Sequence, residues 1–310
     1  MGRAAQHVVL TVGGVLLVGL IVGAVVLTHL DSGSGSLVRP AQVGPAKDVV
    51  APPPRGAVVL AGESGTNAVA LAVSPGARPK LTATVLAQSG DPASGLPLAF
   101  RVNGKTIRAR PCGSGCYTAS VSRPRRVDVV LPGHTVAFDL PASTPSAAQT
   151  VARAARVTRR LSSLVYVESL RSGPTGGLLT TWRLKAPSEA TYDIRKGAQA
   201  VIIGSKRWDR DKAGEPWRRS PQIPPLNVPR PAWGSVAVNA HLLGSARIGG
   251  HPVWVVSFAN PTTPAWFTAW IDKSTYRPLR LKMTAAAHFM LHNYLAFDGP
   301  LKIAPPKTAR

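Results

Sequence analysis

The chain has 310 residues, with 37 Lys and Arg against 14 Asp and Glu, two Cys, 29 Gly and 29 Pro. An apolar fraction of 45% excludes a wholly disordered polypeptide, and no Gly-X-Y period or heptad array points to a fibre. The net charge of +23 would suit phosphate backbones, but the basic residues are scattered. The densest tract is Arg123-Pro124-Arg125-Arg126, and Arg159-Arg160 and Arg218-Arg219 are only pairs. Nucleic acid is therefore not the expected partner; anionic lipid or an anionic envelope polymer is.

Residues 1–30 read as a short stub and a membrane anchor. Val8 to Leu27 is apolar and uncharged, long enough as a helix to cross about 30 Å of hydrocarbon. Arg3 before it and Asp31 after it favour an N-inside, C-outside orientation. The competing reading is a cleaved signal peptide. The run is longer than a usual signal core, and Thr28-His29-Leu30-Asp31 offers no small-x-small site, so an uncleaved single-pass anchor in the cell membrane is expected. Residues 31–56 begin Gly/Ser-rich and end at Pro52-Pro53-Pro54, the composition of a tether.

Residues 57–142 predict an immunoglobulin-like β-sandwich. Short strands such as Asn67–Val73, Lys80–Ala87 and Arg126–Leu131 are separated by turn signals, among them Asn103-Gly104 and Pro132-Gly133. Cys112 and Cys116 flank Gly113-Ser114-Gly115. That spacing is neither a dithiol-oxidoreductase pair nor, alone, a zinc set. On the outer side of a membrane the expectation is a disulfide closing a tight loop, with redox chemistry or copper ligation as the alternatives.

Residues 146–305 predict an α+β unit. Val151, Ala154, Val157, Leu161 and Leu164 recur at helical spacing, with Ser146 as N-cap and arginines on the other positions. Strand-like segments follow, from Val165–Leu170 to His288–Ala296, interrupted by a Pro-rich loop at Pro221–Pro231. All 7 tryptophans fall in this half. They either fill a core or line a concave cavity under a curved sheet, and Trp182, Trp208, Trp254, Trp266 and Trp270 are the candidate cavity residues.

Tyr192-Asp193-Ile194, then Val201 through Gly204-Ser205 to Trp208-Asp209-Arg210, then Trp217, resembles LolA/LppX-like domains, as does Pro264–Thr275 with its Asp272-containing turn. The resemblance implies a curved antiparallel half-barrel with a helix, sheltering acyl chains or another lipophilic ligand, and it carries no catalytic residues. The stretch from Val102-Asn103-Gly104 through Cys112–Cys116 to Ala287-His288-Phe289-Met290 also resembles the extracytoplasmic tails of actinobacterial CopD-type copper-resistance membrane proteins. Those have a multi-helix bundle where this chain has one expected span.

No nucleophile elbow, zincin motif or Walker loop occurs. Asp209 and Asp211, among Arg207, Arg210 and Lys212, read as a charged hairpin tip rather than an acid/base pair. An enzyme is not expected. His288, Met290 and His292 alternate on a predicted strand and would share one face, a donor set suited to Cu(I). The alternative is a core methionine between two half-buried histidines. Met283 has the opposite parity and would join only through a bulge in 284–287. The expected function is a membrane-anchored extracytoplasmic binding protein without a resident cofactor, holding a lipophilic ligand in its C-terminal half. A copper-handling accessory role and binding to anionic envelope polymer are the alternatives.

Overall fold

Apolar residues at every second position, broken by Gly, Pro and Asn turns, build strands and little else. A computed structural model describes residues 50–307, apart from 123, 235, 236 and 261. The expected membrane span and most of the linker lie outside the described residues. Nine strands come first: β1 (Val58–Ser64), β2 (Asn67–Val73), β3 (Lys80–Leu86), β4 (Ala99–Val102) and β5 (Lys105–Arg108). β6 (Arg110–Gly113), β7 (Cys116–Ser120), β8 (Arg126–Leu131) and β9 (His134–Asp139) complete them.

These strands form two antiparallel sheets, ordered β1-β2-β3-β7-β6 and β5-β4-β8-β9. The two share one core, in which Leu71, Leu81 and Val85 meet Phe100, Val127 and Val129. Asn103 and Gly104 both take positive φ, as the tight β4–β5 turn requires. Cys112 and Cys116 are joined in a disulfide across the β6–β7 turn. Gly115 in that turn has φ of 61°, and a Cβ there would meet the Val85 carbonyl at 2.7 Å, so only glycine fits.

A single helix among the described residues, α1 (Ala148–Arg159), follows. It is shorter than its periodicity predicts. Ser146 is not the cap, because it is held in a β-bridge with His241, and Ala147 occupies the cap position. At the other end Ser162 is drawn to Asp298, with its N–H donating to the carboxylate at 2.7 Å, and the chain turns into a strand. Among the described residues no helix is long and apolar enough to cross a membrane.

Strands β10 (Ser163–Arg171), β11 (Leu178–Lys185), β12 (Glu189–Ile194), β13 (Gln199–Ile203), β14 (Lys206–Arg210) and β15 (Arg218–Pro221) make one meander. β16 (Val238–Ile248), β17 (His251–Asn260), β18 (Ala265–Asp272), β19 (Pro278–Ala285) and β20 (His288–Phe297) make another. Pairing of β10 with β20 fuses them into an 11-stranded antiparallel sheet, ordered β15-β14-β13-β12-β11-β10-β20-β19-β18-β17-β16. Val151, Ala154 and Ala155 of α1 pack on Val256, Phe258, Phe267, Ala269 and Leu281 of this sheet.

The two halves touch. Ala57, Val59, Ala68, Ala70 and Ala72 form one buried cluster with Ala259, Trp266 and Phe289. The Arg171 guanidinium donates to Glu63 at 2.7 Å across the junction, and Asn239 bonds Gly56 and Pro54. All the described residues belong to one compact unit.

The β18–β19 turn is tied by Asp272. Its Oδ1 accepts from the N–H and hydroxyl of both Ser274 and Thr275, at 2.6–3.0 Å, and Oδ2 faces His251. Burial alone would push this carboxyl up, but the four hydrogen bonds outweigh it and bring the pKa down to about 2. The folded value lies below the unfolded one, so the stabilisation is present above about pH 4 and is lost as pH falls towards 2. We expect it to be worth about 2 kcal/mol. Urea unfolding of Asp272→Asn across this range should show that loss near neutrality and a flatter acid limb than the wild type.

Candidate functional site

Strand alternation puts one set of side chains on the side of the large sheet that carries α1. Registers align six of them across successive strands: Tyr294, Tyr166, Trp182, Tyr192, Ala200 and Asp209 oppose one another in a row from β20 to β14. Ring centroids along it are 5.6 Å apart for Tyr294–Tyr166, 6.1 Å for Tyr166–Trp182 and 5.0 Å for Trp182–Tyr192. An aromatic wall results, and Trp182 in it is 5% exposed. Its indole N–H is buried with no hydrogen-bond partner among the described residues.

Two polar pairs stand on this wall. In the next row His292 opposes Glu168, and its Nε2 lies 2.7 Å from the carboxylate. Its Nδ1 is 3.4 Å from the Tyr294 hydroxyl, and its ring is 4.5 Å from Tyr166. At the far end Arg207, 4% exposed, grips Asp209 with Nε at 2.8 and 2.7 Å and Nη2 at 2.6 Å, and Nη2 also donates to the Tyr192 hydroxyl at 3.1 Å.

Burial sets the protonation of the phenols. It raises Tyr166, with the Glu168 charge and Tyr294 adding to it, and it raises Tyr294 with help from Glu168. Tyr192 is raised by burial and by Asp209, against the opposing pull of Arg207. All three remain O–H donors at neutral pH. Burial would lower Arg207, but the hydrogen bond and charge of Asp209 raise it, and it stays a cation.

Residues 222–237 run from β15 at one edge of the sheet to β16 at the other. Gln222 N–H donates to the Ser205 carbonyl and Val228 N–H to the Pro187 carbonyl. Leu226 is buried, and Trp233 meets Phe258 edge-on at 5.5 Å. The segment thus ties the β11–β14 turns to the α1 core.

The five tryptophans expected to line one cavity are split by alternation. Trp182 and Trp254 lie on the α1 side. Trp208 neighbours the inward Arg207 and so faces the opposite side, as does Trp270, where Arg280 sits 5.7 Å from its ring. Trp266 is in the junction between the halves. There, with Val50–Pro54, Lys80, Thr82 and both cysteines, it lines a separate pocket of about 180 Å³.

The histidines and methionine do share a face, since His288, Met290 and His292 oppose Ala285, Met283 and Leu281. The two-residue turn at Ala286-Ala287 makes Met283 the direct partner of Met290 without a bulge, because antiparallel partners of opposite parity point the same way. Both methionines pack in the α1 core. His292 Nε2 lies 2.7 Å from the Glu168 carboxylate, and His288 Nδ1 lies 3.1 Å from the Ala286 carbonyl. Among the described residues no group of three or more His, Cys, Asp or Glu side chains is arranged to hold a metal.

The residues missed from sequence are Tyr166, Glu168, Arg207, Asp209 and Tyr294. The sequence suggests a charged hairpin tip for Arg207 and Asp209; their i, i+2 spacing around Trp208 is the available sign of a shared inward face.

Three solved structures are similar to about half of this chain. LprF from Mycobacterium bovis is 14% identical, with 53% of this chain and 99% of that one covered at a TM-score of 0.41. The Mycobacterium tuberculosis lipoprotein LppX is 12% identical, covering 50% of this chain and 97% of its own at 0.41. A LolA superfamily protein from Nitrosomonas europaea is 13% identical, covering 52% and 96% at 0.25. No CopD-type protein is among these three. No protein-family model matches the sequence, and no curated protein does.

Removing the partner of a buried cation leaves it uncompensated. Asp209→Ala should cost about 3 kcal/mol in urea unfolding. Asp211→Ala, which breaks the exposed pair with Arg218, should leave the midpoint unchanged.

Proposed function

We propose that this is a non-enzymatic, extracytoplasmic binding protein, held at the cell membrane by residues 8–27, whose C-terminal half takes a lipophilic ligand against the aromatic wall. The observation that carries the reading is the orphaned indole N–H of Trp182. A buried donor without an acceptor costs about 1–3 kcal/mol, and here it is flanked by the rings of Tyr166 and Tyr192. An apolar ligand with one acceptor oxygen, such as an ester or hydroxyl, would bury its chain on the rings and satisfy the donor. The three phenols remain protonated and add donors, and the neutral wall between two compensated charge pairs favours no charged body.

The test is mass spectrometry of lipid extracted from the protein purified from its host. A single class of oxygen-bearing lipid should co-purify with the wild type. Trp182→Phe keeps the ring and loses the donor, so it should retain about tenfold less. Trp182→Ala should retain least. A preparation free of lipid, or equal retention by all three proteins, would overturn the reading.

A further inference from the structure

The sheet has two ends of opposite character. At one, Phe289, Trp266 and Arg171 meet the N-terminal sandwich. At the other, the register row Ser163, Lys185, Glu189, Ile203, Lys206 and Pro221 forms a rim. Ala186 N–H donates to Ser162 O, Gly204 N–H to Ser188 O, Gln222 N–H to Ser205 O and Val228 N–H to Pro187 O, all at 2.8–3.0 Å. The end of α1, the β11–β12 and β13–β14 turns and the start of the 222–237 segment are thus one continuous surface.

Ile223 stands out of that surface at 81% exposed, the most exposed large apolar side chain among the described residues. Gln222 and Leu226 on either side are buried, and the Gln222 amide bonds the Pro224 carbonyl, so Ile223-Pro224-Pro225 is a braced apolar tip. At this end of the sheet Arg159, Arg160, Lys206 and Arg230 are exposed, and none is in an ion pair with a described residue. The carboxylates of this end are already engaged, Glu189 by Lys185, Asp298 by Arg277 and Asp272 by His251. An apolar tip on an end that carries uncompensated cations matches a surface with anionic headgroups outside and hydrocarbon just beneath. A soluble polyanion would use the cations and leave the tip without a role.

We propose that this rim docks on anionic phospholipid headgroups, with Ile223 entering the interface and the four cations on the phosphates. The docking does not depend on a ligand being bound at the aromatic wall.

The full chain, held in phosphatidylcholine nanodiscs to occupy its own apolar segment, is sedimented with sucrose-loaded vesicles of phosphatidylcholine alone or mixed with phosphatidylglycerol. Binding should appear only with phosphatidylglycerol and weaken as salt rises. Lys206→Gln and Arg230→Gln should each weaken it about fivefold. Ile223→Asp should weaken it about tenfold or more, and Ile223→Leu should preserve it. All three positions are solvent-exposed, and unchanged melting temperatures separate lost docking from lost folding. Failure of the wild type to sediment with phosphatidylglycerol overturns the proposal. So does binding insensitive to Ile223→Asp and competed by soluble polyphosphate, which would assign the rim to a polyanion instead.

Discussion

The antiparallel pairing of β10 with β20 is the constraint on which the rest of the C-terminal half depends. It joins strands more than a hundred residues apart in sequence, from Leu164 opposite Phe297 to Arg171 opposite Phe289. Without it the chain has two separate meanders, each with an unpaired edge, a state that sheets avoid. With it, one side of a single sheet becomes continuous from β14 to β17. The same pairing sets Glu168 against His292 and Tyr166 against Tyr294, so sheet closure and wall construction are one event.

Burying charge on such a surface is costly, and the protein compensates locally. Arg207 spends three nitrogen–oxygen contacts on Asp209 and a fourth on Tyr192, while Glu168 and His292 are matched one to one. A buried pair of this kind seldom adds net stability over an apolar substitute. Its value lies in fixing register, because a one-residue slip of β14 would turn Trp208 inward and expose both charges. Trp182 is the exception to this compensation: its donor is left open between two compensated charge pairs.

At the junction with the sandwich, small residues matter more than large ones. Alanines at 57, 68, 70 and 72 leave a shallow face, and Trp266 and Phe289 fill it. The alternation that sends these two aromatics to the sandwich sends Phe267 and Met290 to the α1 core. Strands β18 and β20 therefore each serve two cores, and the halves are fastened at the end of the sheet remote from the Ile223 rim.

Local pattern determined much of the architecture. The turn at Asn103-Gly104, the strand Lys206–Arg210, the disulfide loop and the shared face of His288, Met290 and His292 all follow from preferences of neighbouring residues, and these are short-range effects. Strand β16 was legible only at Ala246–Ile248, because register shifts near Leu242 break its alternation. The helix was over-extended at both ends, since Ser146 and Ser162 are claimed by partners distant in sequence, His241 and Asp298. Composition drew attention to tryptophans as a class, but period-two geometry combined with the position of each strand in the sheet divides them among the wall, the opposite face and the junction. Sequence alone specifies which residues alternate. Which side is inward, and which distant carboxylate meets His292 or Arg207, is decided only when non-local strands pair, because hydrogen-bond register and burial are properties of the closed sheet rather than of any one segment.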